Sequence, residues 1–183
     1  SHLNWTGRTD CRHISAVVKG LTLHNFYIPA GGDEPDIDKN PKFSHKLNFI
    51  AEMTKHFSQQ QPSRSILVGD LNIAPLAEDV WSTRQLRNTV SHTAIERENL
   101  LALVEQGGWT DSVRAHFGPK EVLFSWWSYR ARDWVASNRG RRLDHIWVSR
   151  DLASKVEAVT IESAMRGAEK PSDHVPLTIT LQP

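Results

Sequence analysis

The chain has 183 residues, which is enough for one domain with a sizeable buried core. Charged residues make up 23% of the sequence, but the net charge is only +1, so a uniformly basic protein is excluded and any electropositive surface has to be local. Cys11 is the only cysteine, which excludes an internal disulfide. Neither a membrane-spanning apolar run nor a signal-peptide core is present, so we expect a cytoplasmic, bacterial-type protein without a membrane partner.

Secondary-structure signals divide the chain into strands that first alternate with helices and then dominate. Asn40 before Pro41 is typical of a helix start, and Thr93 with Glu96 has the spacing of a capping box. The predicted elements are a hairpin of strands 14–19 and 21–28, a helix over 41–57, a strand over 65–69, a helix from 94 to 106, and strands over 122–128, 143–149, 156–162 and 177–181. This order predicts a layered α/β protein with a mixed sheet or two packed sheets.

Two polar side chains follow the short buried strand 65–69. Asp70 and Asn72 are two positions apart, so in extended chain they address the same point. A carboxylate there can take a proton from water, and an amide can stabilise a developing anionic oxygen. The alternative is that Gly-Asp-Leu-Asn is only a turn, because Asp and Asn favour turns.

Further titratable groups lie at the ends of other strands. His174 can meet a phosphate, and Asp144 is the carboxylate that we expect to raise its pKa and fix its ring. Asp173 points elsewhere because it is the neighbour of His174 in the chain, and it can bind a metal. A salt bridge from Asp144 to Arg139 or Arg142 is the alternative. Tyr27 ends the second strand, where its hydroxyl can donate to a phosphate oxygen or its ring can simply pack.

Arginine and aromatic residues alternate between positions 124 and 142. Guanidinium groups contact backbone phosphates and aromatic rings offer apolar surface to a sugar or nucleotide, so the stretch favours nucleic-acid binding over a solvated loop. Its members are Phe124, Trp126, Trp127, Tyr129, Arg130, Arg132, Trp134, Arg139, Arg141 and Arg142.

In combination these segments resemble the exonuclease III-type AP endonucleases of the endonuclease/exonuclease/phosphatase superfamily. The resemblance runs from about Cys11 to the C-terminus. The motifs that carry it are Asn25–Pro29, Gly69–Pro75, Phe124–Arg130, Asn138–Asp144 and Lys170–His174.

The resemblance implies a four-layer α/β sandwich of two packed mixed sheets flanked by helices, with the site at one edge. It implies Mg²⁺- or Mn²⁺-assisted hydrolysis of double-stranded DNA on the 5′ side of abasic sites, with 3′→5′ exonuclease and 3′-phosphatase activity at 3′ ends. Asp70 would activate the attacking water and Asn72 would stabilise the pentavalent state. The implied sites are catalytic Tyr27, Asp70, Asn72, Asp144 and His174, metal-binding Asp173, Asp70 and Asn72, and DNA-binding Trp126, Trp127, Arg130, Arg139, Arg141, Arg142 and Leu143.

The resemblance covers only the C-terminal two-thirds or so of a usual family member. The family's N-terminal asparagine and principal metal-binding glutamate have no counterpart here. We therefore expect residues 1–183 to form a single domain that lacks its N-terminal elements, and to bind metal weakly. We also expect slower cleavage than from a version extended upstream. The full domain is expected to be a monomer, whereas the open sheet edge favours association of the shorter chain.

Two other functions remain open from the residues. A phosphatase of the same superfamily that acts on inositol or lipid headgroups would have similar catalytic pairs. A non-catalytic DNA-binding fragment would show salt-sensitive binding without metal-dependent turnover.

Overall fold

A computed structural model describes residues 3–131 and 133–182. Arg132, a member of the predicted basic stretch, lies outside the described residues. The strands are β1 His13–Val18, β2 Leu21–Tyr27, β3 Ser65–Asp70, β4 Trp109–Asp111, β5 Trp126–Trp127, β6 Gly140–Arg141, β7 Asp144–Ser149, β8 Val156–Ile161 and β9 Leu177–Leu181. The α-helices are α1 Pro41–Gln60, α2 Thr83–Leu86, α3 Ala94–Gln106, α4 Ser112–Phe117 and α5 Trp134–Ser137, and 3₁₀ helices cover Ala77–Asp79, Arg150–Lys155 and Ser163–Gly167.

Local sequence signals account for the principal helix starts. The Asn40 side chain accepts from the backbone N–H groups of Lys42 and Phe43, which opens α1. Thr93 and Glu96 form a reciprocal capping box that opens α3, as the spacing predicts. The β1–β2 hairpin is also where it was predicted, with a turn at Lys19 and Gly20 where both residues have positive φ.

A mixed five-stranded sheet forms the centre of the molecule, in the order β1-β2-β3-β7-β4. Strand β2 runs parallel to β3, and the other neighbouring pairs are antiparallel. This arrangement brings the C-terminal ends of β2 and β3 and the start of β7 together at one end of the strands. Residues 43 and 74 positions apart in the chain become neighbours there, as the register pairs of Tyr27 with Asp70 and of Asp70 with Asp144 show.

One face of this sheet is covered by α1 and α3. Each fully buried apolar side chain there contributes about 1.5–3 kcal/mol relative to exposure. The contacts join Phe49, Ile50, Met53 and Phe57 of α1 and Leu100 and Leu103 of α3 to Phe26, Leu67 and Trp147 of the sheet.

The opposite face packs against the antiparallel β8–β9 hairpin. Val159 and Ile179 of the hairpin belong to the same apolar cluster as Ile66, Val68 and Ile146 of the sheet. Layers of helix, sheet and sheet are therefore present in the described residues, and the predicted mixed α/β class is confirmed. No helix in the described part of the chain is both long and apolar enough to cross a bilayer.

The predicted strand over 122–128 is wrong except at β5. The backbone of this stretch does not pair along one neighbouring strand. Leu123 N–H donates to Glu78 O, whereas Ser125 N–H donates to Arg141 O. Strand β4 and helix α4 were not predicted, although Asp111 caps α4 by accepting from Arg114 N–H.

Candidate active site

Three neighbouring strands place polar side chains in one row at the edge of the sheet. Tyr27 of β2 pairs in register with Asp70 of β3, and Asp70 pairs with Asp144 of β7. Residues directly opposite each other on adjacent strands project to the same side. The phenol and the two carboxylates were predicted from separate motifs, and the sheet brings them together.

Gly69 is the residue that allows Asp70 to reach this position. Its φ is +135°, and a Cβ there would overlap the carbonyl oxygen of Phe26 on β2. Only glycine adopts this backbone conformation readily and permits so close an approach. The sequence Gly-Asp therefore sets the final residue of β3 against the end of β2.

Asp70 and Asn72 form a hydrogen-bonded turn. Asp70 Oδ1 accepts from the backbone N–H of Asn72 at 2.9 Å, and Asn72 has φ 55°, a left-handed conformation that Asn tolerates. The Asn72 amide donates to Ile28 O at 2.9 Å and to Asp70 Oδ2 at 3.1 Å. Both amide hydrogens are thus used, so in this structure Asn72 orients Asp70 and does not present an N–H to a substrate.

His174 and Asp144 form the pair that the sequence predicted. His174 Nδ1 lies 2.8 Å from Asp144 Oδ2, and the salt bridges to Arg139 or Arg142 are not formed by Asp144. The Ser125 hydroxyl donates to the same oxygen at 2.6 Å and accepts from the N–H groups of Leu143 and Asp144, both at 3.0 Å. Ser125 is fully buried and holds Asp144 in place. This role of Ser125 was not predicted from the sequence, although Ser125 lies inside the Phe124–Arg130 motif.

Burial and neighbouring charges raise the pKa of Asp70 and have opposing effects on the pKa of His174. Burial, together with the negative charge of Asp144, raises the pKa of Asp70 from 3.8 to about 6. Burial alone would lower the pKa of His174, but the hydrogen bond and charge of Asp144 outweigh it and raise the pKa above 6.5. The cluster therefore combines a carboxylate that takes up a proton more readily than usual with an imidazole whose protonated, anion-binding form is favoured.

The two carboxylates of this cluster can also hold a metal ion. Ligand atoms of Asp70, Asp144 and His174 lie within 4.8 Å of one another. Carboxylate oxygens are the donors that Mg²⁺ and Mn²⁺ prefer, and a cation would relieve the repulsion between the two carboxylates. The donor set therefore fits a divalent metal ion, although it differs from the predicted set of Asp173, Asp70 and Asn72.

Asp173 lies beside this cluster and contacts Trp126. Its Oδ2 accepts from the Trp126 indole N–H at 2.9 Å. A backbone bridge between Trp126 and His174 joins the two motifs directly. Leu143 is buried behind Trp126, in a cluster with Ala74, Val80 and Leu86.

The arginines of the basic stretch divide into exposed and anchored groups. Arg130 is exposed, and the exposed Arg139 stacks over Trp81 at 4.7 Å. Arg141 is half-buried, lies 5.4 Å above the Trp126 ring and donates to Ser91 Oγ at 2.7 Å.

Two of the predicted DNA contacts are wrong. Arg142 is 0% exposed and forms ion pairs with Asp79 at 2.7 Å and Asp111 at 2.8 Å, so it cannot reach a ligand. Trp127 is 4% exposed and packs in the core against Phe124 and Val175. Alternation of arginine and tryptophan marks the loop correctly, but it does not tell which members face inward.

Comparison with known proteins agrees with this architecture and site. Residues 19–174 match the sequence pattern of the Endonuclease/Exonuclease/phosphatase family, and the chain belongs to that family.

Within it, the chain is 31% identical over 164 residues to exodeoxyribonuclease III of Haemophilus influenzae, covering 86% of this chain and 60% of that protein. It is 34% identical over 137 residues to the exodeoxyribonuclease of Bacillus subtilis, covering 74% and 49%. The chain thus spans about half to three-fifths of the length of these relatives.

Solved structures show the same relationship. An AP endonuclease from Archaeoglobus fulgidus superposes with a TM-score of 0.85 at 29% identity, over 93% of this chain and 65% of that one. The 3′ phosphatase NExo from Neisseria, bound to a product DNA hairpin, superposes with a TM-score of 0.87 at 28% identity, over 99% and 70%. The predicted resemblance to exonuclease III-type AP endonucleases is confirmed.

Proposed function

We propose that the protein containing this chain is a DNA-repair nuclease that hydrolyses the phosphodiester bond on the 5′ side of an abasic site. The same centre would act on 3′ ends as a 3′→5′ exonuclease and 3′-phosphatase. The observation that carries the proposal is the convergence of Asp70, Asp144 and His174 within 4.8 Å, next to the rim formed by Trp126 and Arg141.

Asp70 is proposed to receive the proton of the attacking water. The water oxygen bonds to phosphorus, and the bond from phosphorus to the 3′ oxygen of the preceding nucleotide breaks. A general base works best when its pKa is close to the working pH, and without a metal ion the pKa of Asp70 is about 6. Asn72 keeps the carboxylate oriented through its two bonds to Asp70.

His174 and Tyr27 are proposed to bind the phosphate. The imidazolium would neutralise a non-bridging oxygen as charge develops in the pentavalent state, and Asp144 favours that protonated form. Tyr27 is 51% exposed at the same edge, so its hydroxyl is accessible to a phosphate oxygen.

The metal is proposed to be Mg²⁺ or Mn²⁺, held by Asp70 and Asp144. The Asp173 carboxylate and the side-chain oxygen Oδ1 of Asn72 are proposed as further ligands. When bound, such an ion polarises the phosphate and stabilises the leaving oxygen. Trp126, Arg141, Arg139 and Arg130 are the side chains proposed to line the DNA surface, and Leu143 is buried behind Trp126.

A duplex with one abasic site tests the proposal. We expect Mg²⁺-dependent incision that EDTA abolishes and that falls about 10²- to 10⁴-fold in Asp70→Asn and His174→Asn. Glu157→Gln, an exposed change on β8, serves as the control and should retain full activity. Hydrolysis of a phosphoinositide without DNA incision would point to the lipid phosphatase, and salt-sensitive DNA binding without turnover would point to a binding module.

A further inference from the structure

Lys46 is a fully buried cation on α1 that the catalytic cluster does not include. Its side chain is 0% exposed, as is that of its partner Glu96. The ammonium donates to Glu96 Oε1 at 2.6 Å, to Asn72 O at 2.8 Å and to Ala30 O at 3.2 Å. All three ammonium hydrogens are therefore accounted for.

Only one of these bonds goes to the counterion. The other two go to backbone carbonyls of segments that leave the sheet at the site. Ala30 is three residues after Tyr27, and Asn72 is two residues after Asp70. Lys46 thus connects the segment after β2 to the segment after β3 through hydrogen bonds to both backbones.

Glu96 is itself held rigidly, which fixes Lys46 in turn. Its carboxylate accepts from the N–H of Ser91 at 2.9 Å, from the N–H of Thr93 at 3.1 Å and from the Thr93 hydroxyl at 2.6 Å. These bonds connect the ammonium to the start of α3 and to the loop whose Ser91 hydroxyl accepts from Arg141. The lysine therefore joins three parts of the site wall.

The lysine stem also depends on the local backbone. Gly31 has φ +92°, and a Cβ there would lie 2.9 Å from Lys46 Cδ. The loop after β2 is thus shaped to let the side chain pass beneath it. Buried ion pairs are often no more stable than apolar replacements of the same volume, so stability alone is a weak reason for this arrangement.

We propose that Lys46 is a positioning residue that holds the Tyr27 and Asp70–Asn72 segments in catalytic register by donating to the carbonyls of Ala30 and Asn72. The inference rests on the proposed nuclease function. It assigns Lys46 to the chemical step and not to substrate affinity, because it lies beneath the site and cannot reach the DNA.

The test compares Glu96→Gln with the double variant Lys46→Met/Glu96→Gln. Both variants lack the Glu96 charge. The single variant keeps the Lys46 amino group and its bonds to Ala30 O and Asn72 O, whereas the double variant lacks that group. On an abasic duplex we expect kcat to fall about 100-fold between them, with KM changed less than about threefold, as for a small misplacement of catalytic groups. Arginine in place of methionine at position 46 (Lys46→Arg/Glu96→Gln) can donate to the same carbonyls. We expect kcat of that variant to be at least about tenfold higher than kcat of the double variant.

Met53→Ala, a change in the apolar core on the same helix, controls for lost stability. Equal kcat in Glu96→Gln and the double variant, or an equal loss in Met53→Ala at a matched drop in Tm, would overturn the proposal.

A readout independent of activity separates this inference from the proposed function. Amide hydrogen exchange at Ile28 and Leu71, whose N–H groups donate to Asp70 O and Leu143 O, should speed up about tenfold or more in the double variant only. If the unmodified protein cleaves no DNA but these amides respond, the function fails and the positioning role of Lys46 stands. Unchanged exchange would refute the role even in an active enzyme.

Discussion

At the scale of single residues, the site places charges where they are costly to the fold. The folded pKa of Asp70 lies above its ordinary value, so the folded chain holds this proton more tightly than the unfolded chain does. Stability from this group is therefore full below a pH of about 4 and is lost as pH rises through about 6. Function near neutral pH needs the ionised form, which is the less stable one.

Asp70→Asn should remove the destabilisation that the ionised Asp70 carboxylate causes. We expect the free energy of unfolding at pH 7.5 in EDTA to rise by about 1–2 kcal/mol, after allowance for the partial exposure of the carboxylate, and the gain to vanish near pH 4.5. Urea denaturation measures both values. Asp36→Asn is the matched control, since the Lys39 hydrogen bond lowers the pKa of that partly exposed carboxyl, and it should give no gain. A less stable Asp70→Asn variant at pH 7.5 would contradict the electrostatic account.

The His174–Asp144 pair makes a second prediction at this scale. His174 should titrate above 6.5, and Asp144→Asn should lower its pKa because burial then acts without the opposing carboxylate. NMR titration of the ring resonances measures the change. His92, which contacts Ala74 O outside the cluster, should titrate as before. An unaltered His174 in the variant would mean that Asp144 does not stabilise the imidazolium.

At the scale of elements, the basic stretch separates into a structural and a binding part. Arg142 precedes β7 and bridges Asp79 and Asp111, while Arg139 is exposed next to Trp81. Arg114 adds a further ion pair to Asp79. The Arg142 network ties the start of β7 to the Ala77–Asp79 turn and to the end of β4.

Arginine substitutions should separate these two parts. Arg142→Ala should cost about 3–5 kcal/mol of stability, because it leaves Asp111 without its arginine partner and Asp79 with Arg114 alone. Arg139→Ala should leave stability within about 0.5 kcal/mol but weaken DNA binding and reduce its salt slope by about one. Denaturation and binding titrations at several salt concentrations measure both. Comparable stability losses in the two variants would show that the division is wrong.

Sequence reasoning succeeds for elements whose signals are local. The Asn40 cap, the Thr93–Glu96 capping box and the Gly20 turn all act within a few residues, and these elements form where predicted. It fails where the partner is remote in the chain. The burial of Arg142 depends on Asp79, 63 positions earlier, and the burial of Lys46 depends on Glu96, 50 positions later.

At the scale of the whole molecule, the mixed sheet creates the site by aligning strands of opposite directions at one edge. Tyr27, Asp70 and Asp144 become neighbours through register, and His174 joins them through the β5 bridge to Trp126. The motifs predicted this convergence because each polar group lies at a strand end. They could not predict that Asn72 orients Asp70, since that depends on the positive φ of Asn72 and the carbonyl of Ile28.

The central claim is that this cluster hydrolyses a DNA phosphodiester beside the Trp126 rim. Single-turnover incision of an abasic duplex, with Mg²⁺ and with protein in excess, measures that step directly. We expect a rate that falls at least about 100-fold in Asp70→Asn and in His174→Asn, while DNA affinity stays within about threefold. Incision by Asp70→Asn at the unmodified rate would contradict this claim.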